Sequence, residues 1–561
     1  MCVSDNKRVE MASNLSREKM QSVLNQLNLM WDARNFADAN CLFQKYIDMN
    51  IEDKIGIQFK ANLCGLLTDV CDLAKTEKIE EYLFFDLERS LEKAIEYQSK
   101  NLSQIQKIYK EGIANYNYAT SLSTLYSFKR LKDRDYLLPK NAELLVKAKK
   151  QFWIAIRASK GKMKLEMMTN LAHVLSNCNR ITECLYLYDQ VLGIESNFPQ
   201  ANYSKAQSLE YLNMLSSGYS INQLYEIYKC YKNAALSSLV CHPNLQEQAK
   251  LKSEYTYKLI LEEGSDEDAI LKDCIKNKEE FSQHSKKRKF FIKNGMALSE
   301  HSLYCGCSGS RKDNLTILTH ARPIGGDFVP RMEHILNQLK TEYFKARELF
   351  YNSSFNGDEY YRPLNEKLCL TDLGDFDASG VRAEDLRLSF KTCYSILDKI
   401  ALSLCELYDF PLYKNEKIYF ESFWKKTPSK DEGTYRDRWE EINLIEENPS
   451  LFALYFQSTD LNSKNGEWKD FKKWRNSLEH GFFVLTSEKA KEAPYGILDR
   501  KFKVEQAEYD VFKERTAELL RFVRSAIFNF VFCVRREAER LLEDEDYSSS
   551  EVTITFDKKQ P

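Results

Sequence analysis

The sequence contains little proline in its first half and no surplus of charge of either sign. No proline precedes Pro139 and only three precede Pro323, although the chain has 561 residues and 11 prolines. Because proline breaks helix interiors, this distribution predicts that the first half is nearly continuous helix. The formal charge is only -2, from 81 Lys and Arg against 83 Asp and Glu. The chain as a whole therefore has no field that attracts nucleic acid or a membrane, and any such binding requires a local patch.

Three further features are absent, and each concerns the compartment of the protein. The 15 cysteines lack the repeated short spacings of a disulfide framework. No positively charged segment followed by an apolar one opens the chain, as it does in a signal peptide. The most apolar run, SAIFNFVFCV, has about half of the roughly 20 residues that a membrane-spanning helix needs. We therefore expect reduced thiols, no membrane partner and a cytoplasmic location.

Helix pairs recur through the first half, and the clearest one lies at residues 169–194. Small and apolar residues fall on two predicted helices with a polar NCNR turn between them: Leu171, Ala172 and Leu175, then Cys184, Tyr188 and Val191. In a 34-residue frame this pattern resembles a tetratricopeptide repeat (TPR), although Pro199 arrives about three residues late. We predict a TPR-like helical solenoid at residues 1–290. The groove of such a solenoid often binds a protein or peptide ligand. Alternatively, the solenoid only supports the second half of the chain, and both interpretations stay open.

A glycine-rich connector is predicted at residues 291–330, and it contains a small group of possible metal ligands. These are His301, Cys305, Cys307 and His320. Structural zinc usually takes two separated two-ligand units such as Cys-x-x-Cys, and this spacing fits no common pairing. Cysteines packed under a turn are the preferred interpretation, so we predict no metal and no other cofactor.

The second half carries long apolar stripes at helical spacing. Three of them span residues 332–350, 386–407 and 512–533, with apolar residues at steps of three and four. A fourth helix is predicted through residues 471–485, after an aromatic-rich insertion at 408–468. Four helices with one stripe each indicate an antiparallel bundle at 331–546, followed by a polar tail at 547–561. The predicted fold class is all-α throughout.

The fourth helix contains the hexapeptide RNSLEH, residues 475–480. On a helical projection its apolar residues lie within roughly 60° of one another and form the buried face: Phe471, Trp474, Leu478, Phe482 and Leu485. His480 lies on the opposite side and Asn476 shares its face. Arg475 and Glu479 are four residues apart, so a surface ion pair explains both of them without any chemistry.

The context of this hexapeptide favours a functional interpretation. Arg475, the polar Asn476, three more residues and His480 resemble the motif of ribonucleases in the HEPN superfamily (higher eukaryotes and prokaryotes nucleotide-binding). The resemblance extends to AEDLRLSFKTCYSILDKIALSLCELYDF and KIYFESFWKK and covers about residues 330–545. The segments resemble a bacterial subgroup of this superfamily whose members also have an N-terminal TPR region.

The resemblance implies a metal-independent endoribonuclease, in antiphage defence or abortive infection. In that chemistry His480 takes the proton of a 2′-hydroxyl, which attacks the adjacent phosphate and leaves a cyclic phosphate. Arg475 stabilises the developing negative charge. Asn476 orients the histidine or holds a phosphate oxygen, and Glu479 tethers Arg475 or tunes His480. A catalytically silent HEPN/TPR interaction scaffold, or the toxin of a toxin–antitoxin pair, is the alternative.

Two expectations concern partners. Arg475 and His480 point about 140° apart on one helix, and the composite sites of the family imply that a homodimer through this face, or a higher oligomer, brings two copies together. The RNA substrate would be held by basic residues near the motif and on the last helix: Lys472, Lys473, Arg521 and Arg524, with Lys513, Arg515, Arg535, Arg536 and Arg540 as further candidates. Interleaved glutamates favour a charge-balanced helix for most of these.

Overall fold

The computed structural model describes most of the chain. The described residues are 15–49, 51–75, 77, 79–110, 112–132, 142–216, 220–239, 241, 243–263, 267–317, 328–369, 378–408, 410, 417–424, 448–462, 466–487 and 504–543. His320, much of the predicted insertion and the whole predicted tail lie outside them.

Helices dominate the chain, as predicted, up to the connector. They are α1 Arg17–Asp32, α2 Phe36–Ile47, α3 Lys54–Ala74, α4 Glu81–Ile108, α5 Ile113–Lys132, α6 Glu143–Ala158, α7 Gly161–Asn177, α8 Ile181–Ile194, α9 Pro199–Leu215, α10 Ile221–Ala235, α11 Pro243–Glu262, α12 Glu267–Gln283 and α13 Lys286–Lys293. Side-chain caps start several of them, since Ser16, Asn35 and Asp53 each accept a hydrogen bond from a backbone N–H in the first turn.

The second half adds further helices and one small sheet. The helices are α14 Phe328–Phe355, α15 Asp358–Asn365, α16 Val381–Leu407, α17 Pro449–Asn462, α18 Lys469–His480 and α19 Tyr509–Glu543. Strands β1 Phe482–Thr486 and β2 Val504–Glu508 pair in parallel, with Phe482 opposite Val504. The all-α class is confirmed, with this strand pair as the exception among the described residues.

The described residues form two compact units. One contains the residues up to Val174 together with 466–467, and the other contains the remaining described residues from Leu175 onward. In the first unit, helices α1 to α6 pack on their neighbours in the chain around a buried cluster that includes Leu27, Phe43, Leu67 and Phe128. The predicted domain boundaries at 290 and 330 stay predictions.

The predicted helix pair at 169–194 corresponds to α7 and α8, and the six small and apolar residues of the pattern are all buried. Asn179, in the turn between them, has a positive φ of 57°, which asparagine tolerates better than most residues. Pro199 begins α9 and so does not end α8, in agreement with the preference of proline for the first helical turn. The assignment to the TPR class stays a prediction.

The helical bundle differs from the predicted one in its fourth member. Helices α14, α16 and α19 pack against one another, and α17, from within the predicted insertion, also packs on α19. The motif helix α18 is short and contacts α16 and α17. The bundle thus contains a helix that the aromatic composition of the insertion did not reveal.

The predicted helix through residue 485 is wrong beyond His480. Gly481 adopts an extended conformation with φ -144° and ψ -153°, and β1 begins directly after it. Phe482 is therefore 51% exposed, while Leu485 is buried as a strand residue. Glycine is a poor helix former, and the aromatic and β-branched residues that follow it favour a strand.

Candidate active site

Aromatic packing holds the motif helix α18 in place. The ring of Phe471 lies 5.3 Å from that of Phe390 on α16. The ring of Trp474 lies 5.4 Å from Phe512 on α19 and 5.7 Å from Phe483 on β1. Because edge-to-face and tilted aromatic pairs stabilise one relative orientation, the polar side of α18 is presented away from this cluster.

Arg475 is held by polar groups on both sides of its guanidinium. Nη2 lies 3.2 Å from Oδ2 of Asp398, and Nε lies 3.3 Å from Oε2 of Glu479. Nη1 donates to Oδ1 of Asn476 at 3.1 Å, and the rings of aromatic residues lie within 6 Å. Only 15% of the side chain is exposed. The guanidinium is therefore largely fixed, with two carboxylates as its countercharges.

His480 is the outward-facing member of the motif, with 75% of its side chain exposed. Its Nε2 lies 3.6 Å from Oε2 of Glu479, the same oxygen that contacts Arg475. Glu479 therefore connects the two residues, and the four predicted site residues form one contiguous group. Among the described residues, Arg475 and His480 have no direct ion-pair or hydrogen-bond contact with each other.

Two acidic residues of this group were not predicted from the sequence. Asp398 lies on α16, where its Oδ1 accepts a hydrogen bond from the backbone N–H of Phe420 at 3.0 Å. Glu421 is buried and lies 2.5 Å from Nζ of Lys472. Sequence patterning gives no signal for Asp398, because it stands beside the apolar stripe of α16 and not in it. Its contact with Arg475 depends on how α16 and α18 pack.

The carboxyl of Asp398 has an unusual acidity. Its pKa is raised from an ordinary value of 3.8 to about 6. Burial is the main cause, and the nearby Glu421 and Glu479 act in the same direction, while the Phe420 N–H and Arg475 act in the opposite one. The folded protein thus binds this proton more tightly than the unfolded chain does. The stability that the group contributes is complete below about pH 4 and is lost as the pH rises through about 6.

Asp398→Asn tests this linkage. Since the neutral amide has no ionised form to bury, we expect the variant to gain stability relative to wild type between pH 4.5 and pH 8, by on the order of 2 kcal/mol. Thermal unfolding of both proteins at the two pH values measures the change. Asp510→Asn, which removes an exposed carboxylate, is the control for the loss of one charge. An equal difference between Asp398→Asn and wild type at both pH values would contradict the assignment.

The two lysines predicted to hold RNA are engaged in ion pairs. Lys472 pairs with Glu421, and Nζ of Lys473 lies 2.6 Å from a carboxylate oxygen of Glu505 on β2. Both lysines are about half exposed. Their contribution to RNA binding stays a prediction, and it requires exchange of a carboxylate partner for a phosphate.

The predicted arginines of α19 lie in other surroundings. Arg521 stacks over the ring of Tyr186 at 5.0 Å, and Arg524 is buried and donates from Nε to the carbonyl of Ala297. Arg524 is therefore not part of an exposed rim. Four further arginines pair with glutamates, in agreement with the charge-balanced interpretation: Arg515 with Glu518, Arg535 with Glu300, Arg536 with Glu539 and Arg540 with Glu537.

The cysteine and histidine residues of the connector lie close together. Sγ of Cys307 is 3.5 Å from Nδ1 of His301, and the backbone N–H of Cys307 donates to Sγ of Cys305. Within the described ranges, which exclude His320, no group of three or more His, Cys, Asp or Glu residues is arranged to hold a metal ion. Neither does any described helix combine the length and apolar composition that crossing a membrane requires.

Residues 325–537 match the family model of the LA2681-like HEPN domain. This match confirms the HEPN resemblance for the C-terminal region, and it covers α14 to most of α19, including the motif helix. It spans less than half of the chain, so it assigns no family to the helices before residue 325. No curated protein and no solved structure shows significant similarity to the chain.

The HEPN region therefore presents three groups of complementary chemistry on one short helix. His480 is an exposed acid–base group, Arg475 is a fixed guanidinium and Glu479 contacts both. Histidine titrates near neutral pH and serves proton transfer, while a guanidinium offers paired donors to a phosphate. Within one chain, Glu479 connects Arg475 and His480, but these two side chains do not converge on a common point.

Proposed function

We propose that the protein is a metal-independent endoribonuclease whose site is centred on Arg475 and His480. The observation that carries the proposal is that one oxygen of Glu479 contacts both residues, at the exposed end of a helix in the HEPN region. HEPN domains are generally associated with ribonuclease activity, and the described residues supply groups for phosphodiester cleavage without a metal.

The proposed reaction is an attack by the 2′-hydroxyl of RNA on the adjacent phosphorus. His480 accepts the hydroxyl proton, and the new P–O bond forms as the bond to the 5′-oxygen breaks. Arg475 donates to the non-bridging oxygens as their negative charge increases. The 5′-oxygen leaves with a proton donated by a water molecule, and the resulting hydroxide takes the proton back from the His480 imidazolium. The products are a 2′,3′-cyclic phosphate and a 5′-hydroxyl.

Activity of the full-length protein on RNA is the direct test. We expect cleavage in the presence of EDTA and fragments with cyclic phosphate ends, which resist ligation and poly(A) extension until the phosphate is removed. Fragments with 5′-phosphate ends, or cleavage that EDTA abolishes, would exclude this mechanism.

The proposed catalytic unit is a homodimer through the face of α18. Arg475 is directed toward Asp398 of its own chain and His480 is directed outward, so a second copy is needed to bring an arginine and a histidine to one phosphate. A two-fold interface would place the two motif helices side by side, because an isologous contact uses the same surface twice.

Mixing two inactive variants tests this arrangement. When Arg475→Ala and His480→Ala are co-expressed, half of the dimers are mixed, and each mixed dimer has one intact arginine–histidine pair across the interface. We expect cleavage to return to about a quarter of the wild-type rate. Each variant alone is the control and should stay inactive. If the mixture also stays inactive, both groups act within one chain and the composite site is wrong.

A catalytically silent interaction scaffold is the second candidate. It is favoured by the two carboxylates of Asp398 and Glu479 that already neutralise Arg475. On this alternative the protein cleaves no RNA, and the helices of the first half provide its working surface. The TPR-like groove as a peptide site, and the role in antiphage defence, abortive infection or a toxin pair, stay predictions that growth assays on expression would address.

A further inference from the structure

A cavity of about 630 Å³ lies in the second compact unit, outside the motif helix. Its walls come from α8, α9, α10 and α12, from the end of α13 and the segment after it, and from Arg524 of α19. The volume is within the range of roughly 300 to 1,000 Å³ that small-molecule sites occupy. All but one of its lining residues lie before residue 325, so the cavity is separate from the candidate active site.

Part of the charge in this cavity is already balanced. Nζ of Lys205 lies 2.8 Å from Asp189 and 2.7 Å from Glu226, and Nζ of Lys229 lies 2.5 Å from the other oxygen of Glu226. Two lysines therefore offset two carboxylates. Although burial opposes it, the pair of lysines holds the pKa of Glu226 at about 2, so Glu226 is ionised and already has partners.

Arg524 has no such compensation. Arg524 is only 4% exposed. Its guanidinium donates from Nε to the carbonyl of Ala297 and from Nη2 to the hydroxyl of Ser302 at 3.5 Å. Among the described residues, no carboxylate lies within ion-pair distance of the Arg524 guanidinium, and none accepts a hydrogen bond from its Nη1. Burial lowers the pKa of Arg524 to about 10, which leaves the guanidinium charged at neutral pH. Asp313 and Asp189 raise this pKa, but from beyond ion-pair distance. A buried charge without a directly paired carboxylate is costly unless a ligand supplies one.

Two exposed lysines extend this positive charge along the lining. Lys278 on α12 and Lys293 at the end of α13 both line the cavity, and neither forms an ion pair with a described residue. Lys293 lies 5.7 Å from the ring centre of Phe281. Together, Arg524 and these two lysines give the lining three positive charges that the carboxylates of the lining do not offset.

The rings of Tyr186 and Phe281 form part of the wall, and two glycines bring backbone against them. A Cβ atom on Gly295, whose φ is +62°, would lie 2.7 Å from the ring of Tyr186, and one on Gly306 would lie 2.6 Å from the ring of Phe281. Only glycine permits such close approach. Arg521 covers Tyr186 at 5.0 Å. The rings are therefore held in place by their surroundings.

We propose that this cavity binds a small organic phosphate that carries an aromatic ring, of the size of a nucleoside monophosphate. The phosphate pairs with Arg524 and with the ammonium groups of Lys278 and Lys293, which are suitable donors for it. The ring lies against Tyr186 and Phe281, where stacking is favourable. The proposal does not depend on ribonuclease activity.

Calorimetric titration of the full-length protein with AMP, inorganic phosphate and adenosine tests the proposal. We expect AMP to bind more tightly than either fragment, and phosphate to compete with it. Lys278→Gln and Lys293→Gln should each weaken AMP binding about 10-fold, since each removes a charge-assisted contact. Arg524→Gln should weaken it about 100-fold, and the two exposed lysines keep the test informative if that buried substitution prevents folding.

Lys286→Gln is the matched control. Lys286 is an exposed lysine of the same short helix as Lys293, and it does not line the cavity. Its variant should bind AMP like wild type. The proposal is overturned if AMP does not bind, if adenosine binds as tightly as AMP, or if Lys286→Gln weakens binding as much as Lys293→Gln does.

Discussion

Replacing His480 with alanine is expected to lower the rate of RNA cleavage about 10²- to 10⁴-fold, the contribution typical of a general base. The imidazole is 75% exposed, and its contact within the chain is with Glu479. The substitution should therefore change the melting temperature little, because exposed side chains away from caps and networks contribute within about 0.5 kcal/mol. Initial rates on a defined RNA, measured with EDTA present, provide the comparison.

His334→Ala is the control for this experiment. His334 is an exposed histidine on α14 in the same HEPN region, and it should be dispensable for cleavage. If His480→Ala cleaves RNA at the wild-type rate, His480 is not the base. If His334→Ala loses as much activity, the effect is not specific to the motif.

Replacing Arg475 with lysine is expected to lower the cleavage rate about 10²- to 10³-fold, the loss seen when one donor to a developing oxyanion is removed. Lysine keeps the positive charge but cannot place paired donors as a planar guanidinium does. Arg475 also contacts both Asp398 and Glu479, and an ammonium group cannot reproduce both contacts with a phosphate as well. The effect should appear mainly in kcat, because Arg475 stabilises the additional negative charge that the phosphate oxygens acquire in the transition state.

Arg331→Lys provides the matched control for this substitution. Arg331 is a half-exposed arginine of α14 that pairs with Glu406, so its replacement makes the same chemical change away from the motif. Its cleavage rate should equal that of wild type. A full rate for Arg475→Lys would show that only charge is required, and a full rate for Arg475→Ala would remove the residue from the mechanism.

The helices of the bundle could be predicted well from local patterns. The stripes at 332–350, 386–407 and 512–533 fall inside α14, α16 and α19, since apolar periodicity is a property of neighbouring residues. The end of α18 was missed because the pattern continues through Gly481, while the backbone at that glycine is extended. Helix α17 was missed because aromatic residues at irregular spacing indicate no single face.

The candidate site likewise combines residues that the sequence identified with residues that only the structure revealed. The motif residues from Arg475 to His480 were identified from spacing and resemblance, because they belong to one short segment. Asp398 and Glu421 were not, although Asp398 contacts the guanidinium of Arg475 directly. Asp398 and Arg475 are 77 positions apart in the chain. Sequence patterning did not single out Asp398, since it lies beside the apolar stripe of its helix.

The sequence by itself therefore determined the all-α class, the long helices, the HEPN resemblance and the outward position of His480. Each of these follows from the helical repeat or from a contiguous motif. Tertiary structure alone decided that Asp398 holds Arg475, that Lys472 and Lys473 are already paired, and that Arg524 is buried at a cavity without a directly paired carboxylate. The physical reason is that burial and ion pairing depend on which helices pack together, and packing brings together residues that are distant in the chain.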